Sequence, residues 1–186
     1  MKRLFVVNIL ILTLGLGGVF AQTAEKAAVL RVSGQVVRAL KNKDMNRLAG
    51  FVHPRKGVRF SMYSSVDRKD RVFRAGELKS LLRSRKIYRW GVNDGTGAPV
   101  ALTFAKYYER FVYDYDFARP EKINYNRRQN NGIMINNIAE FYPKGVEVEY
   151  FFDSTEDRMY GSLRLVYEKQ GAQWFLVGIV RDTPGI

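Results

Sequence analysis

Residues 146–152, Val-Glu-Val-Glu-Tyr-Phe-Phe, carry the pattern from which the fold is inferred. Apolar and acidic residues alternate as far as Tyr150, which is typical of a strand with one buried face. Residues 163–168 repeat the alternation, 169–172 form a hairpin loop, and 174–180 are apolar on both faces. We therefore predict antiparallel strands joined in hairpins, with the last strand in a central, covered position.

The chain before this sheet has mainly helical periodicity. Helices are predicted over residues 23–41, 45–51, 77–85 and 104–112, with Thr23, Asp44 and Thr103 as N-caps. Short strands are predicted over residues 57–63, 72–73 and 87–90. Helices followed by an antiparallel sheet indicate the α+β class. Residues 22–186 are enough for one domain with its own core.

Several short segments of the sequence resemble segments of a known group of domains. They are residues 51–54, 56–61, 90–95 and 176–180, which are similar to uncharacterised secreted bacterial domains. The order of elements resembles the cone-shaped fold of the nuclear-transport-factor-2-like superfamily. That resemblance implies N-terminal helices packed on a curved antiparallel sheet, and it brings no established activity. The similar domains end in Val-His-Asp, but here Arg181 replaces the His, so no role for that His is implied.

The N-terminus has the pattern of a secretory signal peptide. Lys2 and Arg3 precede an apolar run from Leu4 to Phe20. We predict cleavage near Ala21 and export to the periplasm or the outside of the cell. An uncleaved membrane anchor is the alternative, because the run is at the short limit for a span. A lipid anchor is excluded, since that form of export needs a Cys and the chain has none.

Positive charge is concentrated in one part of the chain. The net charge is +13, and residues 55–89 hold twelve basic and three acidic residues, whereas residues 90–186 have a net charge of −2. A concentrated charge produces a directed field. The predicted surface for an anionic partner comprises Arg68, Lys69, Arg71, Arg74, Lys79, Arg83, Arg85, Lys86 and Arg89.

The first functional hypothesis is therefore a non-catalytic exported domain that binds an anionic lipid or polymer of the envelope, or an acidic protein. Nucleic acid is disfavoured by location, and no nucleic-acid-binding motif is present. A homodimer formed through the outer face of the sheet is a further expectation from the resemblance.

Catalytic and metal-binding patterns are weak. One His and no Cys leave few metal ligands, and no acidic run has the spacing of a calcium loop. No metal or cofactor is predicted. His53 is the single candidate base, and a His before Pro at a helix-to-strand corner is more typical of a structural role. Glu147 and Glu149 alternate with the apolar residues and are expected outside the core, while Arg181 and Asp182 are expected to form a local ion pair.

The alternative hypothesis is a pocket protein, such as an isomerase- or dehydratase-like enzyme that uses the interior of the cone. The residues considered for a ligand site are His53, Arg59, Tyr63, Trp90, Tyr150 and Trp174. This hypothesis requires an apolar cavity with a buried titratable group.

Overall fold

A six-stranded sheet is the centre of the protein. The computed structural model describes residues 14–126 and 136–182, with side chains from Gln22 onward. The helices in these ranges are α1 (Leu14–Lys41), α2 (Met45–Ala49), α3 (Ala75–Leu81), α4 (Phe104–Phe111) and α5 (Ile138–Phe141). The strands are β1 (Val58–Ser61), β2 (Arg71–Phe73), β3 (Ile87–Val92), β4 (Pro99–Thr103), β5 (Lys122–Tyr125), β6 (Val146–Phe152), β7 (Gly161–Gln170) and β8 (Gln173–Asp182).

The strand order of the large sheet is β2-β1-β8-β7-β6-β5, and β3 and β4 form a separate two-stranded hairpin. The sheet is curved and mostly antiparallel, which confirms the α+β class. β8 lies between β1 and β7, so the prediction of a central last strand is confirmed. The expectation of a wholly antiparallel sheet is wrong at one place, because β1 runs parallel to β8. The long chain between these two strands allows that direction, which no tight hairpin could produce.

The main core lies between one face of the sheet and helices α1, α2 and α4. Val148 and Tyr150 of β6 belong to this core, as their alternation predicts. A smaller apolar cluster on the other side joins Ile138 and Tyr142 to Val166 and neighbouring sheet residues. Both faces of β8 are therefore covered, which explains why its sequence is apolar on both.

Helix α1 extends further toward the N-terminus than predicted. It ends at Lys41 as expected, and its described part reaches back to Leu14, so Thr23 lies inside the helix instead of at its N-cap. The predicted signal peptide, residues 1–21, lies largely outside the described residues and stays a prediction. Of the other caps, Asp44 Oδ1 accepts the N–H of Arg47 at 2.9 Å, which confirms the start of α2.

Three short elements have no counterpart in the sequence prediction, namely β4, β5 and α5. β5 lies in the polar stretch 119–132, which is expected to be exposed; its residues 127–132 are outside the described ranges. β5 is held by antiparallel pairing with β6, and β4 by pairing with β3. Backbone pairing with a partner strand, which leaves no local signal in a short sequence, is what forms these two strands.

Candidate functional site

The basic surface predicted from the sequence is exposed. All nine of its side chains are solvent-accessible. Within residues 22–126 and 136–182, none of the nine forms an ion pair with a carboxylate. Their positive charge is therefore not neutralised by a carboxylate of the described residues.

Arg68 and Lys69 lie on a loop that the side chain of Arg59 on β1 holds in place. The Arg59 guanidinium donates to the backbone carbonyls of Asp67 and Asp70, each at 2.9 Å. Asp70 in turn accepts the Ser61 hydroxyl at 2.6 Å. Burial raises the pKa of Asp70. Arg59, a predicted ligand residue, instead holds this loop.

A second group of cations surrounds Tyr88 of β3. The Lys86 ammonium lies 5.2 Å and the Arg71 guanidinium 5.9 Å from the centroid of its ring. Arg71 Nε also donates to the carbonyl oxygen of Arg89 at 3.1 Å. Tyr88 itself packs on Phe73 with the ring centroids 5.5 Å apart. The strand β2 and the hairpin thus bring Arg71, Lys86 and Arg89 together, although 18 residues separate Arg71 from Arg89.

The remaining basic residues lie on or near α3. Leu78 and Leu81 of this helix are buried while Lys79 is exposed, as the helical pattern predicts. Arg74 precedes the helix and its guanidinium donates to the carbonyls of Pro54 and Arg55. Arg74 therefore holds the loop after α2 as well as contributing charge. Arg83 and Arg85 follow the helix and are exposed.

His53 has a structural environment. Its Nδ1 accepts the backbone N–H groups of Arg55 at 3.2 Å and Lys56 at 3.1 Å, and its ring meets Phe175 edge-on at 5.8 Å. Burial lowers the pKa of His53 below its ordinary value. Because Nδ1 already accepts two hydrogen bonds, the imidazole caps the turn before β1.

The other ligand candidates do not converge on one pocket. Trp90 stacks on Tyr107 with the centroids 3.6 Å apart, and its Nε1 donates to the Leu102 carbonyl at 3.0 Å. Tyr63 is 8% exposed and its hydroxyl accepts the N–H of Asp94. Trp174 is partly buried beneath Lys169. Of the six residues, Tyr150 alone lines the groove between α1 and the β5–β6 end of the sheet.

This groove lies between α1 and the β5–β6 end of the sheet. Its volume is about 650 Å³, and it is open to solvent instead of closed. Tyr150 donates its hydroxyl proton to the buried Ser33 of α1 at 2.9 Å. The lining residues are Lys26, Leu30, Gly34, Val37, Arg38, Ala118, Pro120, Ile123, Asn124, Tyr125 and Tyr150. None of these described lining residues is a His, Asp or Glu.

Sequence reasoning did not foresee two buried arginines on opposite faces of the sheet. Arg164 meets Glu147 at 3.2 Å, Glu149 at 3.0 Å and Asp182 at 2.8 Å. Glu147 and Glu149 do lie on the face away from the main core, but they are 8% and 0% exposed. The expectation that they face solvent is thus wrong. The opposite charges of Glu149 and Arg164, which are paired across β6 and β7, are the sequence feature that could have indicated this buried ion pair.

The second buried arginine is Arg181, and the predicted ion pair between Arg181 and Asp182 is wrong. Arg181 is 0% exposed and makes a two-point contact with Asp114, at 2.9 Å through Nε and 2.7 Å through Nη2. The rings of Tyr115 and Phe117 lie 5.2 Å and 5.4 Å from its guanidinium. Neighbours along a strand point to opposite faces, so Arg181 and Asp182 find different partners.

Within the part of the chain that the structure describes, no His, Asp or Glu side chains are grouped to hold a metal ion. No helix of the described residues is both long and apolar enough to cross a membrane. No known family matches this chain, and no curated protein matches it either.

Proposed function

We propose that the protein is an exported, non-catalytic binding domain that docks on an anionic component of the cell envelope through its basic surface. The observation that carries the proposal is the exposure of nine cationic side chains with no carboxylate partner among the described residues. Exposed cations that serve only solubility are commonly interspersed with acids. Residues 68–89 instead contain nine basic and two acidic residues.

Physical chemistry gives this surface a defined binding behaviour. Each contact between a cation and an anionic group releases or screens counterions, so affinity falls as salt rises. The screening length is about 10 Å at 0.1 M ionic strength. Docking through several such contacts should therefore weaken steeply between 0.05 and 0.5 M NaCl.

The test is a binding assay of the purified chain with two probes: vesicles containing phosphatidylglycerol, and sodium polyphosphate as a purely anionic polymer. The variant Arg83→Glu/Arg85→Glu/Lys86→Glu should lose at least tenfold in affinity for whichever probe binds, given about 1 kcal/mol per basic residue near an anionic surface. Its matched control is Arg31→Glu/Arg119→Glu/Lys144→Glu, which changes the net charge equally at exposed positions elsewhere.

The two variants separate a local surface from overall charge. Equal weakening in both would show that net charge alone is responsible, and binding that persists unchanged in the first would refute the proposed surface. Circular dichroism of both variants is needed to show that the fold is retained.

The groove beside α1 supports a second candidate, a small-molecule binding protein. Its apolar lining residues, among them Leu30 and Val37, together with the cations Lys26 and Arg38, suit an anionic ligand with an apolar body. The lack of a carboxylate or imidazole in the described lining favours binding over acid–base catalysis. Gly34→Leu should fill the groove and abolish fluorescence enhancement of anilinonaphthalene sulfonate, whereas Gly76→Leu, at an open position, should not.

A further inference from the structure

The β3–β4 hairpin has two faces of different character. Trp90 and Val100 point inward and are 4% and 7% exposed. Trp90 packs on Tyr107 and Phe104 of α4. The hairpin is thus held to the body of the protein by one face, and its other face is free to meet a partner.

The outer face is apolar around one arginine. The register pairs Ile87 with Thr103, Arg89 with Ala101, and Val92 with Pro99, and directly paired residues share a face. Ile87 and Val92 are 65% and 53% exposed. Two of the five large apolar residues that stand exposed in the described structure therefore lie on this small face.

Cations border the same face. Arg89 lies between the exposed apolar side chains and Lys86 directly precedes Ile87, whereas Arg71 lies against Tyr88 on the inner side. Asp94 in the turn is the only acid in residues 85–103. An exposed apolar face with a cationic border is suited to bind at a membrane–water interface. There the apolar side chains enter the acyl boundary and the cations contact lipid phosphates.

We infer that the outer face of the β3–β4 hairpin docks on an anionic lipid bilayer. Ile87 and Val92 enter the headgroup boundary, and Arg89 on the same face and Lys86 next to Ile87 bind the lipid phosphates. This inference rests on the proposed function and names its partner as a lipid surface. It also makes apolar residues outside the basic set part of the contact.

Two other occupants fit the surface less well. A hydrophilic anionic polymer would use the cations but would leave Ile87 and Val92 in water. A second copy of this chain would bring two cationic borders together, and like charges in contact oppose association. A bilayer satisfies both the apolar and the cationic side chains.

The experiment measures flotation of the purified whole chain with vesicles of phosphatidylglycerol and phosphatidylcholine, with pure phosphatidylcholine and polyphosphate as separate arms. Mass spectrometry defines the N-terminus, which all variants share. Ile87→Ser/Val92→Ser should lower the partition coefficient about tenfold through lost apolar burial. Lys86→Glu/Arg89→Glu should lower it about a hundredfold at 0.1 M salt.

The control removes an exposed apolar side chain that lies outside both the hairpin and the groove beside α1. Met159 is 53% exposed, as is Val92, and Met159→Ser should partition like the unchanged protein. Because the chain has no Cys, Ile87→Cys and Met159→Cys each accept one environment-sensitive fluorophore. We expect a blue shift on anionic vesicles for the first label only.

Each alternative outcome is decisive. Binding to polyphosphate but not to vesicles overturns the lipid inference and leaves the proposed function standing. Vesicle binding that Ile87→Ser/Val92→Ser does not weaken shows a purely electrostatic contact and overturns the inference as well. Vesicle binding that survives Lys86→Glu/Arg89→Glu overturns the inference about this hairpin, and no binding to either probe overturns both proposals. A dimer in solution that Ile87→Ser/Val92→Ser dissociates would show that a second copy covers the face.

Discussion

Arg164 shows how one residue organises the outer side of the sheet. Its side chain is 2% exposed, and its guanidinium reaches carboxylates on β6 and β8. A single cation thereby links three neighbouring strands. Removing the cation would leave buried carboxylates without this partner, and breaking such an arrangement costs more than the net stability it contributes when intact.

We expect Arg164→Met to lower the free energy of unfolding by about 3–5 kcal/mol. Its control is Lys169→Met, which removes a pair with Glu25 that spans 3.9 Å between side chains 50% and 40% exposed. Lys169→Met should lower the free energy of unfolding by less than about 1 kcal/mol, because solvent screens an exposed pair. Urea unfolding measures both, and similar losses would contradict the role assigned to burial.

His53 links stability to pH. Burial lowers its pKa in the folded protein below the ordinary value of 6.5, so the unfolded chain binds the proton first as pH falls. The contribution of His53 to the free energy of unfolding is complete above pH 6.5. It is lost as the pH falls through the pKa that His53 has in the folded protein. It is the only His in the chain, so its imidazole NMR signal reports that pKa without overlap.

The matched substitution is His53→Asn, because an Asn side chain can accept backbone N–H groups nearby without titrating. Unfolding measured from pH 7.5 to pH 5 should show less pH dependence in this variant than in the unchanged protein. An identical slope in both proteins would rule out His53 as its source.

At the scale of elements, the turn into β1 requires a glycine. Gly57 has φ of +74°, and a Cβ there would lie 2.6 Å from the carbonyl oxygen of Phe73 on β2. We expect Gly57→Ala to destabilise the protein by about 1–3 kcal/mol through backbone strain and displacement of β2. Gly76→Ala in α3, with nothing within 4 Å, should stabilise it by about 0.5–1 kcal/mol.

Thermal melting of the two glycine variants checks the pair. Opposite shifts in Tm are expected. A neutral Gly57→Ala would mean that β2 moves away from the turn without cost.

Elements with a strong local pattern are the ones that sequence analysis predicted. β6 is defined by its alternation, and α2 and α4 by side-chain caps that bind the first free N–H groups, Asp44 and Thr103. β4 and β5 are short, and their pairing with neighbouring strands holds them in place. Such pairing involves residues distant in the chain, so a local pattern does not reveal it.

For the whole molecule, the concentrated positive charge should cost stability. Residues 55–89 have a net charge of +9, and like charges on one surface repel when the chain is compact. Raising NaCl from 0.05 to 0.5 M should therefore raise Tm by about 2–4 °C. The increase should be smaller for Arg83→Glu/Arg85→Glu/Lys86→Glu, measured by differential scanning calorimetry. A fall in Tm with salt would show that attractive pairs dominate instead.

The candidate site was predictable in part. Basic residues close in sequence identified the cationic surface, because long charged side chains remain in water unless they find partners. The sequence did not show that Arg59 and Arg74 hold loops, or that Trp90 and Tyr63 serve the core. Those roles depend on carbonyls and rings that approach from other segments.

By itself, the sequence determined the α+β class, the central position of the last strand and the location of the positive charge. Periodicity and charge are local properties, and they decide which faces of an element avoid water. Only the tertiary structure decided the parallel contact of β1 with β8, the burial of Arg164 and Arg181, and the meeting of Arg71, Lys86 and Arg89 at one hairpin. Each of these depends on residues that folding brings together from distant positions. The energy of such a contact depends on both partners, so a local stretch of sequence does not contain it.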